Sequence, residues 1–102
     1  MKKLRIYYKE EDKIEGKNVC KRVFELLKEL NISGATTFKS IYSYGASGNI
    51  SNAYIEIESY NMGMRMDIVD EDDKIYKLVD ILKAQKLLLV ISDCEVIYGD
   101  KR

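Results

Sequence analysis

The sequence contains no histidine, only two cysteines, no long apolar run and no excess of either charge. Each absence removes a class of function. Without histidine, zinc and most transition-metal sites lose their commonest ligand, and acid–base catalysis at neutral pH loses its usual residue. Cys20 and Cys94 stand far apart and form no CxxC pair, so they read as two small buried thiols in a reducing compartment. No metal site and no catalytic residue are expected. The longest unbroken apolar run, Leu87–Ile91, is far too short to cross a bilayer. Met1-Lys2-Lys3 leads directly into an alternating pattern, without a signal-like apolar stretch, and a cytoplasmic protein is expected. The 17 basic residues are balanced by 17 acidic ones. A nucleic-acid-binding domain usually has a basic surplus, because phosphate neutralisation supplies most of its affinity, so no nucleic-acid partner is expected. The balance is uneven along the chain: residues 1–51 carry a net +4 and residues 52–102 a net −4.

What is present suits one folded domain over residues 1–102, with 46% apolar and 33% charged residues. Leu4, Ile6 and Tyr8 alternate with Arg5, Tyr7 and Lys9, the period-two pattern of a half-buried strand. Glu10 to Lys17 is charged, contains Gly16 and reads as a loop. Val19, Val23, Leu26, Leu27 and Leu30 recur at helical spacing on one face, with Asn31 as a left-handed exit. Ala35 to Tyr44 suits a second strand, followed by a stretch rich in glycine, serine and asparagine, with a further short strand near Tyr54–Ile57. Met64, Met66 and Ile68 form another alternating strand. Asp70 is placed as a helix cap, Ile75, Leu78, Val79 and Leu82 as the apolar stripe of that helix, and Leu87 to Tyr98 as a final strand bent at Ser92-Asp93. The order predicts an α+β fold: a ferredoxin-like βαββαβ sandwich whose antiparallel sheet carries two helices on one face. The opposite face would present Tyr7, Val69 and Ile97, with Tyr7 and Ile97 near a contact between subunits.

The segment GATTFKSIYSYGASGNI, Gly34 to Ile50, resembles the PII-like family catalogued as domain of unknown function 190. There a Gly-Ala-Thr opening leads through a strand to a glycine-bounded turn, here Ser43-Tyr44-Gly45. LRIYYKEEDKIEGK resembles that family's first strand and loop, and MRMDIVDEDDKIYKLVDIL its third strand and second helix. The resemblance implies a cytoplasmic homotrimer that binds a small effector, AMP or ADP among the adenine nucleotides, in clefts between subunits. It also implies a mobile loop, 43–62 here, that docks on a target protein such as a membrane transporter. The implied ligand residues are Gly34, Thr36, Lys39, Tyr44, Gly45, Ser92 and Asp93. PII proteins cradle phosphates with a Gly-Asp-Gly-Lys stretch, where this chain has Ile91-Ser92-Asp93-Cys94-Glu95. With both glycines replaced and an acid at the lysine position, a nucleoside or nucleoside monophosphate is expected in preference to ATP.

An acylphosphatase-like enzyme needs an arginine-bearing anion loop after the first strand, whereas Lys9-Glu10-Glu11-Asp12-Lys13 is acidic. An RNA-binding domain of the same topology needs stacking aromatics on its third strand, where Arg65, Asp67 and Val69 stand instead. A ligand-free oligomeric interaction module is compatible with every residue. Binding of an adenylate separates it from a sensor.

Overall fold

The computed structural model describes residues 1–44, 50–52 and 62–97, without the side chains of 42–44 and 50–52. The first alternating segment becomes β1 (Lys2–Lys9), which turns Leu4, Ile6 and Tyr8 into the core. A tight hairpin follows, β2 (Lys13–Ile14) and β3 (Lys17–Asn18), where a plain loop was expected. Its central residues Glu15 and Gly16 both have positive φ, 53° and 79°, the handedness that lets a two-residue turn follow strand twist. Glycine is needed there for its backbone, since no atom lies within 4 Å of where a Cβ would stand.

Helix α1 (Val19–Glu29) buries Val19, Val23, Leu26 and Leu27 of the predicted stripe, while Leu30 is the half-buried residue that caps its C-terminal end. Each such side chain contributes about 1.5–3 kcal/mol when withdrawn from water. Asn18 caps its start by accepting from the Lys21 amide at 3.3 Å, and Asn31, at φ 56°, provides the left-handed exit. β4 (Ala35–Lys39) then enters the main sheet and stops five residues short of the predicted strand. Beyond it, β5 (Tyr42–Tyr44) pairs with β6 (Ile50–Asn52) in a separate two-stranded ribbon. The reason lies in the neighbouring strand: β7 (Gly63–Asp70) begins at Gly63, whose carbonyl accepts from the Ser40 amide at 2.9 Å. Past that rung β4 has no further partner among the described residues.

Helix α2 (Asp72–Leu82) buries Ile75, Leu78 and Leu82 and carries Asp72 and Asp73 in its positively polarised first turn. Its cap position is Glu71, not Asp70 as the spacing suggested. Asp70 belongs to β7 and aims its carboxylate at the Glu71 and Ser33 amides, 2.7 and 3.0 Å away. β8 (Leu88–Asp93) ends earlier than expected, and Cys94 to Ile97 lie outside any strand. The main sheet runs β4-β7-β1-β8, antiparallel throughout, with Leu4 opposite both Ile68 and Ile91. This is the expected ferredoxin-like sandwich: the helices cover one face, and the core is made by Leu4, Ile6, Met66 and Ile68 against Val19, Val23, Ile75 and Leu78. Cys20 and Cys94 are unpaired and half-buried rather than buried. The predicted strand near Tyr54–Ile57, and most of the loop 43–62 with Gly45, lie outside the described residues, as does Tyr98.

Candidate functional site

Two ends of the sheet and its bare face carry the chemistry. At the end where β1 finishes, Glu10 gathers the surrounding chain. Its amide donates to the Met62 carbonyl at 3.1 Å, and its Oε1 accepts from the Met62 amide at 3.1 Å. The same Oε1 lies 3.1 Å from Lys39 Nζ. Its own carbonyl accepts from the Asn18 side chain at 3.3 Å, so the α1 cap is tied into the cluster. Just inside, Cys20 Sγ lies 3.6 Å from Thr37 Oγ1, and the buried Tyr8 hydroxyl sits beside both. Burial and the neighbouring thiol push the Tyr8 phenol up to about 12, and its buried hydroxyl makes no hydrogen bond of good geometry among the described residues.

The opposite end is closed by Asp70. Besides the two amides, its carboxylate approaches Ser33 Oγ at 3.5 Å and Lys74 Nζ at 3.9 Å. Burial disfavours its charge, but the Glu71 and Ser33 amides and the Lys74 ammonium outweigh that and hold the carboxyl below its usual range. On β8, Asp93 pairs with Lys2, which lowers the carboxyl and raises the ammonium. The chain's amino group reaches Asp72 at 3.0 Å, so the start of β1 is tied to both α2 and β8. Within the run Asp70–Asp73, the Asp70 carboxylate is thus engaged by backbone amides and Lys74, and that of Asp72 by the amino group of Met1. Among the described residues, no three His, Cys, Asp or Glu side chains are grouped to hold a metal ion.

The helix-free face has an ionic centre in an apolar surround. Asp67 Oδ1 lies 3.2 Å from Arg5 Nε and 3.3 Å from Arg65 Nε, all three atoms buried but too poorly aligned for good hydrogen bonds. The Arg65 guanidinium stacks on the Phe38 ring at 4.5 Å. Tyr7, Phe38, Leu88 and Val90 are exposed on this face, with Val69 half-buried among them. Tyr7 and Val69 therefore stand where the alternation predicted. Ile97, 95% exposed, lies beyond β8 and off the sheet.

The ligand residues implied by resemblance do not converge within one chain. Gly34 precedes β4 at the Asp70 end, whereas Lys39 closes β4 at the Glu10 end. Thr36 and Lys39 point to opposite faces by strand alternation. Ser92 and Asp93 lie on the far edge strand, three strand spacings or roughly 14 Å from β4. The backbone of Tyr44 belongs to the β5–β6 ribbon, and Gly45 is outside the described residues. Lys17, in the β2–β3 hairpin, is engaged by Glu25 at 3.0 Å. Sequence reasoning missed Glu10, the Arg5–Asp67–Arg65 group and the exposed Phe38, Leu88 and Val90. Strand register alone would have exposed the arginine group, because Arg5 falls opposite Asp67.

Comparison with known proteins bears on the same architecture. Residues 1–96 match the family model DUF190, described as an uncharacterized ACR. A UPF0166 protein of Methanocaldococcus jannaschii is 36% identical over 101 residues, covering 95% of this chain and 92% of the relative. A UPF0166 protein of Aquifex aeolicus is 33% identical over 98 residues, covering 95% and 93%. Among solved structures, the fold is similar to CPII, a nitrogen regulatory PII-like protein from Thiomonas intermedia K12 bound to ADP, AMP and bicarbonate. That match has a TM-score of 0.66, 15% identity, and coverage of 93% of this chain and 86% of that one. A PII-like signaling protein from Thermus thermophilus is similar at a TM-score of 0.63 and 14% identity, covering 89% and 83%.

Proposed function

The chain belongs to the DUF190 family and has a PII-like fold, and from that premise we propose that it is a regulatory protein which senses a small anionic effector as a homotrimer. The observation that carries the proposal is the scattering of the candidate ligand residues. Lys39 on one edge strand and Ser92–Asp93 on the other cannot meet around one small molecule inside a chain, but edges of neighbouring copies can bring them together. The bare face supports the same assembly, since exposed Tyr7, Phe38, Leu88 and Val90 form an apolar surround of the kind that marks contact surfaces. The CPII structure, bound to ADP, AMP and bicarbonate, makes an adenylate the first effector to test. The segment 43–62 is the output element in this proposal, docking on a target protein such as a membrane transporter, and the protein acts as one domain in the cytoplasm without catalysis.

Sedimentation equilibrium at micromolar concentration, followed by calorimetry with AMP, ADP and ATP, tests both halves. A trimer that binds AMP or ADP is expected. A monomer would remove the intersubunit site. A trimer indifferent to every adenylate would favour a ligand-free interaction module.

A further inference from the structure

We propose that Glu10 couples the binding of a phosphate-bearing anion at Lys39 to the two strand ends from which the segment 40–62 departs. This deepens the effector proposal above and rests on it. Lys39 is the last residue of β4, and Met62 immediately precedes β7. One carboxylate oxygen, Glu10 Oε1, holds both: the Met62 amide and Lys39 Nζ each lie 3.1 Å from it. The two partners differ in access. Met62 is fully buried and fixed by a second bond, its carbonyl accepting from the Glu10 amide, whereas the Lys39 side chain is 46% exposed.

An anion arriving from solvent at Lys39 therefore meets an ammonium already shared with a carboxylate. Anion and Glu10 compete for one positive charge and repel each other. Ion pairs this exposed are individually weak, so an arriving phosphate group can displace Glu10. Displacement loosens the carboxylate's grip on the Met62 amide, one of the bonds that hold the start of β7 to the end of β1. The coupling works in both directions by thermodynamic necessity: Glu10 weakens the anion by the factor that the anion weakens Glu10. Glu10 thereby sets the affinity of the site, and its contact with Met62 carries the signal to the strand ends.

Wild type, Glu10→Gln and Lys39→Gln are titrated with AMP and, separately, with inorganic phosphate. Calorimetry follows affinity, and NMR follows exchange of the Met62 and Ser40 amide protons. In the wild type, saturating anion should speed Met62 exchange severalfold. Glu10→Gln keeps an oxygen that accepts from the Met62 amide but loses the competing charge. It should bind the anion about tenfold more tightly, with Met62 exchange no longer responding. Lys39→Gln should lose binding. If phosphate produces these effects and AMP binds no better than phosphate, the coupling stands and the nucleotide proposal falls. Equal affinities in wild type and Glu10→Gln, Met62 exchange indifferent to bound anion in the wild type, or no binding of either anion would overturn the coupling.

Discussion

Asp70→Asn tests whether a single buried carboxylate locks the α1–β4 connection to the β7–α2 junction. The native carboxylate accepts from the Glu71 amide at 2.7 Å and the Ser33 amide at 3.0 Å. Hydrogen bonds to a charged partner contribute about 1.5–3 kcal/mol each. Asparagine has one acceptor oxygen, so it must set its NH2 group against one of the two amide donors. The variant loses a charge-assisted bond and leaves a donor facing a donor, which together cost about 2–4 kcal/mol. For a domain whose whole stability is about 5–15 kcal/mol, that is a large share. Each lost kcal/mol lowers Tm by about 4–8 °C at this size. Urea unfolding of both proteins at one fixed chain concentration is the assay, because the proposed assembly would make stability concentration-dependent. The pH dependence gives an independent reading. Asp70 is held below its ordinary range, so its contribution is full above the unfolded carboxyl's pKa and is lost as pH falls through the lowered folded value. The wild-type and Asp70→Asn stabilities should therefore converge in acid. A difference under about 0.5 kcal/mol at neutral pH, or one that persists unchanged in acid, would refute the reasoning.

Leu88→Arg places a charge amid the exposed apolar residues of the bare face, opposite Tyr7, and should convert the proposed homotrimer to monomers in sedimentation while leaving the circular dichroism of the fold intact. Asp67→Asn leaves Arg5 and Arg65 side by side without their shared counter-charge. It should cost about 1 kcal/mol in urea unfolding, and added salt should reduce the loss by screening the arginines from each other. Glu95→Lys reverses the charge at the position where the resemblance to PII proteins implies a phosphate-binding lysine. It should shift preference from AMP toward ATP by about fivefold, equivalent to about 1 kcal/mol, as read by calorimetry. Tighter binding of ATP than of AMP by the unmodified protein would show that Ser92 and Glu95 do not disfavour polyphosphates.

Periodicity carried most of the fold. Leu4, Ile6, Tyr8, Met66 and Ile68 are buried because alternation in a strand and burial against helices are one constraint. The stripes of α1 and α2 were legible for the same reason at helical spacing. What was not legible depends on pairing between distant residues. The end of β4 is set by where β7 starts, and no local feature of Ser40 or Ile41 announces it. Asp70 looked like a helix cap because acids commonly are. Its position at the end of a paired strand gave it Ser33 as a partner instead. Glu10 was one acid in a charged loop until the fold brought Met62, fifty-two residues away, against it. The site residues inferred from resemblance remain distributed over two sheet edges in one chain, and nothing in a linear sequence displays that separation.

The placement of β1 between β7 and β8 also governs when this protein can fold. Within this domain the first strand in chain order is an inner strand of the finished sheet, and its hydrogen-bonding partners are residues 63–70 and 88–93. Until those residues have been synthesised, both edges of β1 are bare, and Leu4, Ile6 and Tyr8 have no sheet on which to be buried. Helix α1 can form early from local contacts, but the sheet can close only when the chain is available as far as Asp93. Such long-range pairing slows folding, because loop closure comes before the contacts that reward it. A nascent chain halted before β8 would expose the outer edge of β1 as an open template for strand addition. The topology thus makes closure of the sheet wait for β8, and it makes chains that end before β8 the species most prone to aggregate.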